Sequence, residues 1–214
     1  MESLMTIMAA FGLSAGAGAK AFIPVLALGA FNYTSYFELS ERFAWIADPA
    51  VMAILGVLVI VEIIVDAHPD LGRFSDVASY LPKIIAGFIG FAAMTGTLND
   101  SLIQLGASGV LGGTTAAGVH WLRNQVRRPF RDLAEDAHES AGKLASVSEA
   151  GASATLAGTA FVAPPLSMFV LLGFVAVSVI TLRAVSSRRV TCEHCGGDIR
   201  PGALVCPHCR AELG

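Results

Sequence analysis

Six apolar stretches dominate this chain and leave it few alternatives to a membrane fold. They run approximately over 5–31, 49–66, 79–97, 101–123, 146–163 and 165–185. A helix needs about 20 apolar residues to cross a hydrocarbon core. Pro164 and Pro165 divide the last long run, because proline lacks an amide donor and clashes with the preceding helical turn. With only 14% of the residues charged, the sequence predicts an all-α, multi-pass membrane domain over residues 1–185.

Basic residues give this predicted domain an orientation. They flank or follow the second, fourth and sixth stretches, as Arg73, Lys83, Arg123, Arg127, Arg128, Arg131, Lys143, Arg183, Arg188 and Arg189. The connections around 32–48 and 98–101 contain a single base, Arg42. Since basic loops stay in the cytoplasm, we expect six spans with both termini cytoplasmic, in the cytoplasmic (inner) membrane. The charged segment 124–145 is either an amphipathic interfacial helix or a solvated connection.

Two stretches of small residues match at a constant offset of 100 residues. They read Gly-Leu-Ser-Ala-Gly-Ala-Gly-Ala-Lys over 12–20 and Gly-Gly-Thr-Thr-Ala-Ala-Gly-Val-His over 112–120. Three predicted spans separate the copies, so the second copy must run in the opposite direction. This pattern is typical of inverted-topology repeats, whose binding sites form near the membrane midplane. The predicted fold is therefore a 3+3 repeat, with repeat one over 5–97 and repeat two over 101–185.

Each copy ends in a base that follows small residues on the same helical face. Gly12 and Gly16 precede Lys20 at intervals of four residues. Gly112 and Ala116 precede His120 in the same way. Small residues at this spacing allow close helix packing. We therefore expect both bases to face a polar, water-accessible cavity and not lipid.

Acidic residues mark the end of the second apolar stretch. Glu62 and Asp66 lie one turn apart near a helix C-terminus, where the macrodipole disfavours anions. Ionisable groups inside membranes are costly, and they mark solute or ion pathways. Glu149 is expected at the start of the fifth helix, where the dipole favours an acid. The candidate pathway residues are Ser14, Gly16, Lys20, Glu62, Asp66, Asp70, Thr114, Thr115, His120 and Glu149.

Two cysteine pairs near the C-terminus predict a metal site. They are Cys192-Glu-His-Cys195 and Cys206-Pro-His-Cys209, with ten residues between them. Four thiolates in two knuckles favour a structural Zn²⁺ ion in a tetrahedral site. A rubredoxin-like iron site uses similar knuckles, whereas two disulfides would need an oxidising compartment. The sequence thus predicts a linker over 186–191 and a small C-terminal zinc ribbon over 192–214, located in the cytosol.

Two motifs in the membrane domain resemble those of a known family. They are Gly12-Leu-Ser-Ala followed by Ala21-Phe-Ile-Pro24, and Glu62-x3-Asp66-x2-Pro69-Asp70 followed by Asp76 and Pro82. Together they resemble the bacterial membrane family called domain of unknown function 4126, over roughly residues 8–183. Its members usually have a lysine after the second acid and a Ser-x-x-Glu-Asp motif. This chain has Ala67 and Ser146-x-x-Glu149-Ala150 instead. The resemblance implies a membrane fold but no activity, and it leaves the ribbon as an extension.

Three functions fit these patterns. The first is a small transporter or channel for a small anionic solute, in which Lys20 and His120 bind the anion and Glu62 with Asp66 carries coupling protons. The second is a divalent-cation transporter that uses the carboxylates of Glu62, Asp66 and Asp70. The third is a non-transporting scaffold whose ribbon recruits a cytosolic protein.

Other function classes are disfavoured. No nucleophile and base are arranged for catalysis, so we do not expect an enzyme. The net charge of -3 does not favour a nucleic-acid partner. The expected partners are membrane lipid, a small solute or ion, a cytosolic protein at the ribbon, and a second copy of the chain in a homo-oligomer.

Overall fold

A computed structural model describes residues 2–68, 77–96, 101–134, 140–186, 190–199 and 205–212. The α-helices are α1 (Glu2–Ala19), α2 (Phe22–Phe31), α3 (Pro49–Ala67), α4 (Tyr80–Thr95), α5 (Leu102–Ala134), α6 (Ser140–Val162) and α7 (Pro164–Ser186). A 3₁₀ helix spans Glu41–Ala47, and two short strands, β1 (Val190–Thr191) and β2 (Asp198–Ile199), pair antiparallel. The chain separates into two compact units, Met1–Val175 and Ala176–Gly214. The mostly helical fold is confirmed.

Among the described residues, three helical segments are long and apolar enough to cross a membrane. They are Pro49–Ala67, Leu102–Val126 and Pro164–Arg183. The apolar segments Ser3–Ala19, Phe22–Phe31 and Tyr80–Thr95 are shorter. On α3, Ile54, Ile60 and Ile64 are exposed on the outside of the helix, as expected for side chains that meet lipid. The membrane character is confirmed at this level, whereas six spans in a 3+3 inverted repeat stay a prediction.

The first apolar stretch is not one helix, contrary to the expectation over 5–31. α1 ends at Ala19 and α2 begins at Phe22. Pro24 explains the break, because it cannot donate a hydrogen bond to the carbonyl of Lys20. The Ser153 hydroxyl lies 3.5 Å from that carbonyl oxygen. The corresponding stretch in the second half, around His120, continues unbroken as α5, so the two matching stretches differ here.

α5 and α6, which correspond to the fourth and fifth apolar stretches, are longer than predicted. α5 continues through Ala134 and α6 begins at Ser140, so most of the charged segment 124–145 extends these two helices. Glu149 consequently lies inside α6 and not at its N-terminus, which corrects its expected capping position. α6 ends at Val162 and α7 begins at Pro164, which agrees with the predicted division at the proline pair.

Close helix contacts bring the polar parts of α1, α3, α4, α5 and α6 together. A methyl group added at Gly18 of α1 would lie 2.6 Å from the carbonyl oxygen of Ala116 on α5. One added at Gly87 of α4 would lie 2.6 Å from the carbonyl oxygen of Gly112 on α5. No side chain fits at such distances, so these crossings require glycine.

Candidate functional site

Asp66 is the centre of a buried ionic network. It lies near the end of α3 and is only 6% exposed. Lys20 Nζ donates to Asp66 Oδ2 at 2.7 Å, and Arg123 Nη2 donates to the same oxygen at 3.0 Å. The lysine stands at the break between α1 and α2, and the arginine comes from α5. A single carboxylate therefore holds cations from two other parts of the fold.

α6 contributes the next pair of contacts. Glu149 accepts a short hydrogen bond from Arg123 Nη2, the nitrogen that also contacts Asp66. Ser146, one turn earlier, accepts from Lys20 Nζ at 3.1 Å and donates to the carbonyl of Ile63 at 2.9 Å. The two cations thus tie α6 to α3 through charged and neutral contacts.

Glu62 interacts with the start of α2. The backbone amides of Ala21 and Phe22 donate to its two carboxylate oxygens at 2.9 and 3.5 Å. These amides point outward because the helix break leaves the first N–H groups of α2 without intrahelical partners. The helix dipole also favours an anion at this position. Lys83 Nζ lies 4.0 Å from Glu62 Oε1 and adds a second favourable charge.

His120 is enclosed by α4 and its own helix. Its Nδ1 lies 3.0 Å from Lys83 Nζ, and its Nε2 lies 3.3 Å from Ser79 Oγ and 3.2 Å from Asn124 Nδ2. The Tyr80 ring packs edge-on against the imidazole, with 4.4 Å between ring centroids. Lys20, Lys83 and His120 are fully buried.

The ion pairs of this network involve equal numbers of cations and acids within the described part of the chain. Three cations (Lys20, Lys83, Arg123) face three acids (Glu62, Asp66, Glu149). Buried charges are tolerated only when they are paired and hydrogen-bonded. Removal of one partner of such a pair would leave the other charge less well compensated.

The structure brings together half of the predicted pathway residues and places four of the others elsewhere. Those that share the network are Lys20, Glu62, Asp66, His120 and Glu149. Ser14 donates to the carbonyl of Gly87 and joins α1 to α4, and the carbonyl of Gly16 accepts from Ser153. Thr114 and Thr115 bond to carbonyls of their own helix. Asp70 lies outside the residues that the structure describes.

Sequence reasoning missed several members of the network. From the sequence, the positive charges of Lys83 and Arg123 indicate the cytoplasmic ends of helices. In the structure, both side chains are buried. Lys83 does carry a recognisable signal, because Gly87 and Gly90 follow it at intervals of four and seven residues on one helical face. Ser146 belongs to the sequence motif around Glu149, but nothing in that motif indicates a contact with Lys20.

The four cysteines form a second site, in the unit Ala176–Gly214. Their sulfur atoms all lie within 4.8 Å of one another. The Cys192–Cys209 and Cys195–Cys206 sulfurs are 3.8 and 3.7 Å apart. Zinc–sulfur bonds of about 2.3 Å imply sulfur–sulfur edges of about 3.8 Å in a tetrahedron. The sulfurs are too far apart for disulfides. The predicted clustering of the four cysteines is confirmed, and their separations would allow them to hold a metal ion.

The two knuckles repeat the same backbone geometry. The amides of Cys192 and Cys206 donate to the carbonyls five residues later, at 2.9 Å each. Their carbonyls accept from Gly196 and Arg210, whose φ angles are 70° and 58°. In the second knuckle, the backbone amide of Cys209 stabilises the thiolate and lowers the pKa of Cys206. At Cys195 the amide of Gly197 is outweighed by hydrogen bonds with the neighbouring thiols and by desolvation, so the pKa of Cys195 is raised. Such amide donors prepare a thiolate for a metal.

Most of the chain matches the model of a known protein family. The family model described as "Domain of unknown function (DUF4126)" matches residues 7–184. This range includes every member of the ionic network and excludes the four cysteines. No curated protein and no solved structure matches the chain.

Proposed function

The chain belongs to the family described as domain of unknown function (DUF4126), and since that description assigns no activity, we propose from the geometry of the site that it is a small membrane transporter for an anionic solute. We propose further that transport is coupled to protons. The site is the ionic network centred on Asp66, and the proposal includes six spans that form a 3+3 inverted repeat.

The observation that carries this proposal is a charged, buried network at an interrupted helix. Lys20 stands where α1 ends, and Glu62 receives the amides that begin α2. Interrupted helices with charged partners near mid-membrane are typical of secondary transporters. Replacement of buried ion pairs by apolar residues of the same volume is often neutral or stabilising, so stability alone does not account for seven ionisable groups.

An anionic solute suits the network because its cations and the first amides of α2 already contact carboxylates. Asp66 accepts from an ammonium and a guanidinium, while Glu62 accepts from two amides beside Lys83. An anionic group of a solute could take the place of one of these internal carboxylates and accept from the same donors. Arginine and helix N-termini are the donors that proteins use for carboxylate and phosphate groups.

The same contacts argue against the divalent-cation hypothesis. Glu62 and Asp66 are its main ligands, but each lies against cationic or N–H donor groups. Lys20 and Arg123 would repel a divalent ion from Asp66. The third proposed ligand, Asp70, lies outside the described part of the chain.

For the cysteine site we infer a structural Zn²⁺ ion, because four thiolates with these sulfur separations match its tetrahedral preference. Zinc would supply the folding energy that so short a segment lacks. Thiolate ligands also support a cytosolic location for the C-terminus. With the distribution of basic residues, this supports the cytoplasmic membrane with both termini inside.

Transport is tested with the purified chain in liposomes adsorbed on a solid-supported membrane. Concentration jumps of acetate, succinate, sulfate, inorganic phosphate and chloride are applied, and charge movement is recorded with and without a pH gradient. We expect a current with at least one of these anions that increases with the gradient. Lys20→Met should abolish this current, whereas Lys20→Arg should retain part of it.

Thr114→Ala is the matched control, because this exposed hydroxyl bonds to carbonyls of its own helix and to no other group in the described part of the chain. It should leave the current unchanged. Folded Lys20→Met protein with a wild-type current would reject the transport site. Deletion of 190–214 should leave transport intact, and loss of the current on this deletion would favour the scaffold hypothesis.

A further inference from the structure

Two bases, Lys83 and His120, face each other inside the network. Lys83 Nζ lies 3.0 Å from His120 Nδ1, and neither side chain is exposed to solvent. Two nitrogens at this distance share one hydrogen. An ammonium cannot face an imidazolium here, because both nitrogens would present hydrogens to each other. The contact therefore allows two arrangements, in which the hydrogen belongs either to Lys83 or to the ring.

Asn124 can accommodate either arrangement from the other side of the ring. Its Nδ2 lies 3.2 Å from His120 Nε2, while its buried Oδ1 has no hydrogen-bond partner in the described part of the chain. With Nδ2 as the donor, Nε2 accepts and Nδ1–H donates to a neutral Lys83 amine. After a half-turn of the amide, Oδ1 accepts from Nε2–H, and Nδ1 accepts from a Lys83 ammonium. Both arrangements fit the same atomic positions.

We propose that Lys83 and His120 form a proton-binding site that takes up and releases one proton, with the Asn124 amide turning as the imidazole changes tautomer. On release, Lys83 Nζ transfers a proton to Nδ1 while Nε2 loses its hydrogen toward Ser79. Lys83 becomes a neutral amine and the ring stays neutral. The two states differ by one proton, and no bond other than N–H bonds forms or breaks.

The charged groups around Lys83 and His120 determine how the release of a proton affects the network. Glu62 and Asp66 from α3 act on Lys83, as do Lys20 from the helix break and Arg123 from α5. From α6, Glu149 contacts Arg123, and Tyr80 and Ser79 adjoin the ring. Release of the proton lowers the net charge of the network by one, because Lys83 becomes a neutral amine. Proton binding therefore favours binding of an anion, and the anion favours the proton equally.

In this proposal, two nitrogen bases carry the coupling proton in place of the carboxylates of Glu62 and Asp66. The role of this pair in coupling depends on the proposed transport function, whereas the binding of a proton by the pair does not. Lys83 and His120 come from α4 and α5, whose close contact at Gly87 and Gly112 holds them together.

Nitrogen NMR of isotope-labelled histidine in the full-length protein in nanodiscs tests the proposal. From weakly acidic to strongly alkaline pH, we expect His120 to pass from the Nε2–H to the Nδ1–H tautomer without an imidazolium signal. Lys83→Arg should hold the ring in the Nε2–H tautomer throughout, because arginine stays charged. Lys83→Met should abolish the exchange. His120→Gln assigns the signal, and if that variant does not fold, replacement of the other four histidines in turn does so.

Three results would overturn the proposal: an imidazolium signal from His120 in the wild type, a single tautomer over the whole pH range, or continued exchange in Lys83→Arg. The NMR experiment is done without a solute. Failure of the proton site can therefore be distinguished from failure of the transport function. Tautomer exchange without anion transport would reject the transport function alone. Anion transport with a fixed His120 tautomer would reject the proton site alone.

Discussion

Lys20 Nζ lies 2.7 Å from Asp66 Oδ2 although 46 residues separate them in the chain. Both side chains are almost completely buried, so their charges depend on each other. Arg123 shares the same carboxylate oxygen. This relationship joins the interrupted first helix to α3, and it makes the network a structural element as well as a candidate site.

Single removal of Lys20 should destabilise the membrane unit strongly. Lys20→Met leaves a buried carboxylate with one cation fewer, and loss of one partner of a buried pair costs about 3–5 kcal/mol. Asp66→Asn should cost a similar amount, since two cations lose their anion. The double variant should cost less than the sum, with a coupling of about 0.5–3 kcal/mol in a double-mutant cycle of unfolding free energies in detergent. Additive losses would contradict the pairing.

Glu62→Gln tests the contact with the start of α2. The amide oxygen can still accept from Ala21, but the charge that favours the helix dipole and Lys83 is lost. We expect the variant to fold and to lose about 1–3 kcal/mol of unfolding free energy. Glu41→Gln is a suitable control, because this exposed residue lies in the 3₁₀ helix away from the network. An equal loss of unfolding free energy in both variants would argue against a stabilising contact between Glu62 and the start of α2.

Gly87→Ala should disrupt the crossing of α4 and α5. The added methyl group would lie 2.5 Å from Ala116 Cβ and 2.6 Å from the carbonyl oxygen of Gly112. Overpacking of this kind costs about 1–3 kcal/mol, and it should also weaken the Lys83–His120 contact. Gly106→Ala on α5 has open space around it and should be neutral or slightly stabilising. Thermal unfolding of the two variants gives the comparison directly.

One zinc ion should be bound per chain. Cys206→Ser removes one of four ligands, and we expect the ribbon to lose its metal and its fold, because so small a segment lacks a core without metal. Metal analysis of the purified protein, together with release by a chelator, measures this. The thermal transition of the membrane unit should remain, as a separate event. Stoichiometric iron would instead identify a rubredoxin-like site.

Arg210→Gly should not weaken the second knuckle. Arg210 has a φ of 58°, whereas glycine occupies the matching position 196 in the first knuckle. A left-handed conformation costs a residue with a side chain about 1–2 kcal/mol. We therefore expect Arg210→Gly to equal or exceed the wild type in zinc affinity, measured by chelator competition. Arg210→Val should bind more weakly, because a β-branched residue tolerates this conformation poorly.

Local composition and spacing by themselves determined several properties of this protein. The apolar stretches indicate a helical membrane body, and the spacing of Cys192, Cys195, Cys206 and Cys209 indicates a metal site. Both follow from chemistry within short segments: a run of apolar residues needs lipid or a core, and two knuckles of thiolates need a metal. Small residues on the face of Lys20 also indicate that this base points inward.

Only the tertiary structure decided which charges meet. The spacing of Glu62 and Asp66 shows that they share a helical face, but it does not show that α5 brings Arg123 to that face. Lys83 has the sequence pattern of a helix-end charge, and its burial depends on how α4 packs against α5. The break at Lys20 follows from Pro24, yet its consequence, amides that contact Glu62, depends on the position of α3. Helical periodicity specifies directions within one helix, whereas the contacts between helices are specified by packing of the whole unit.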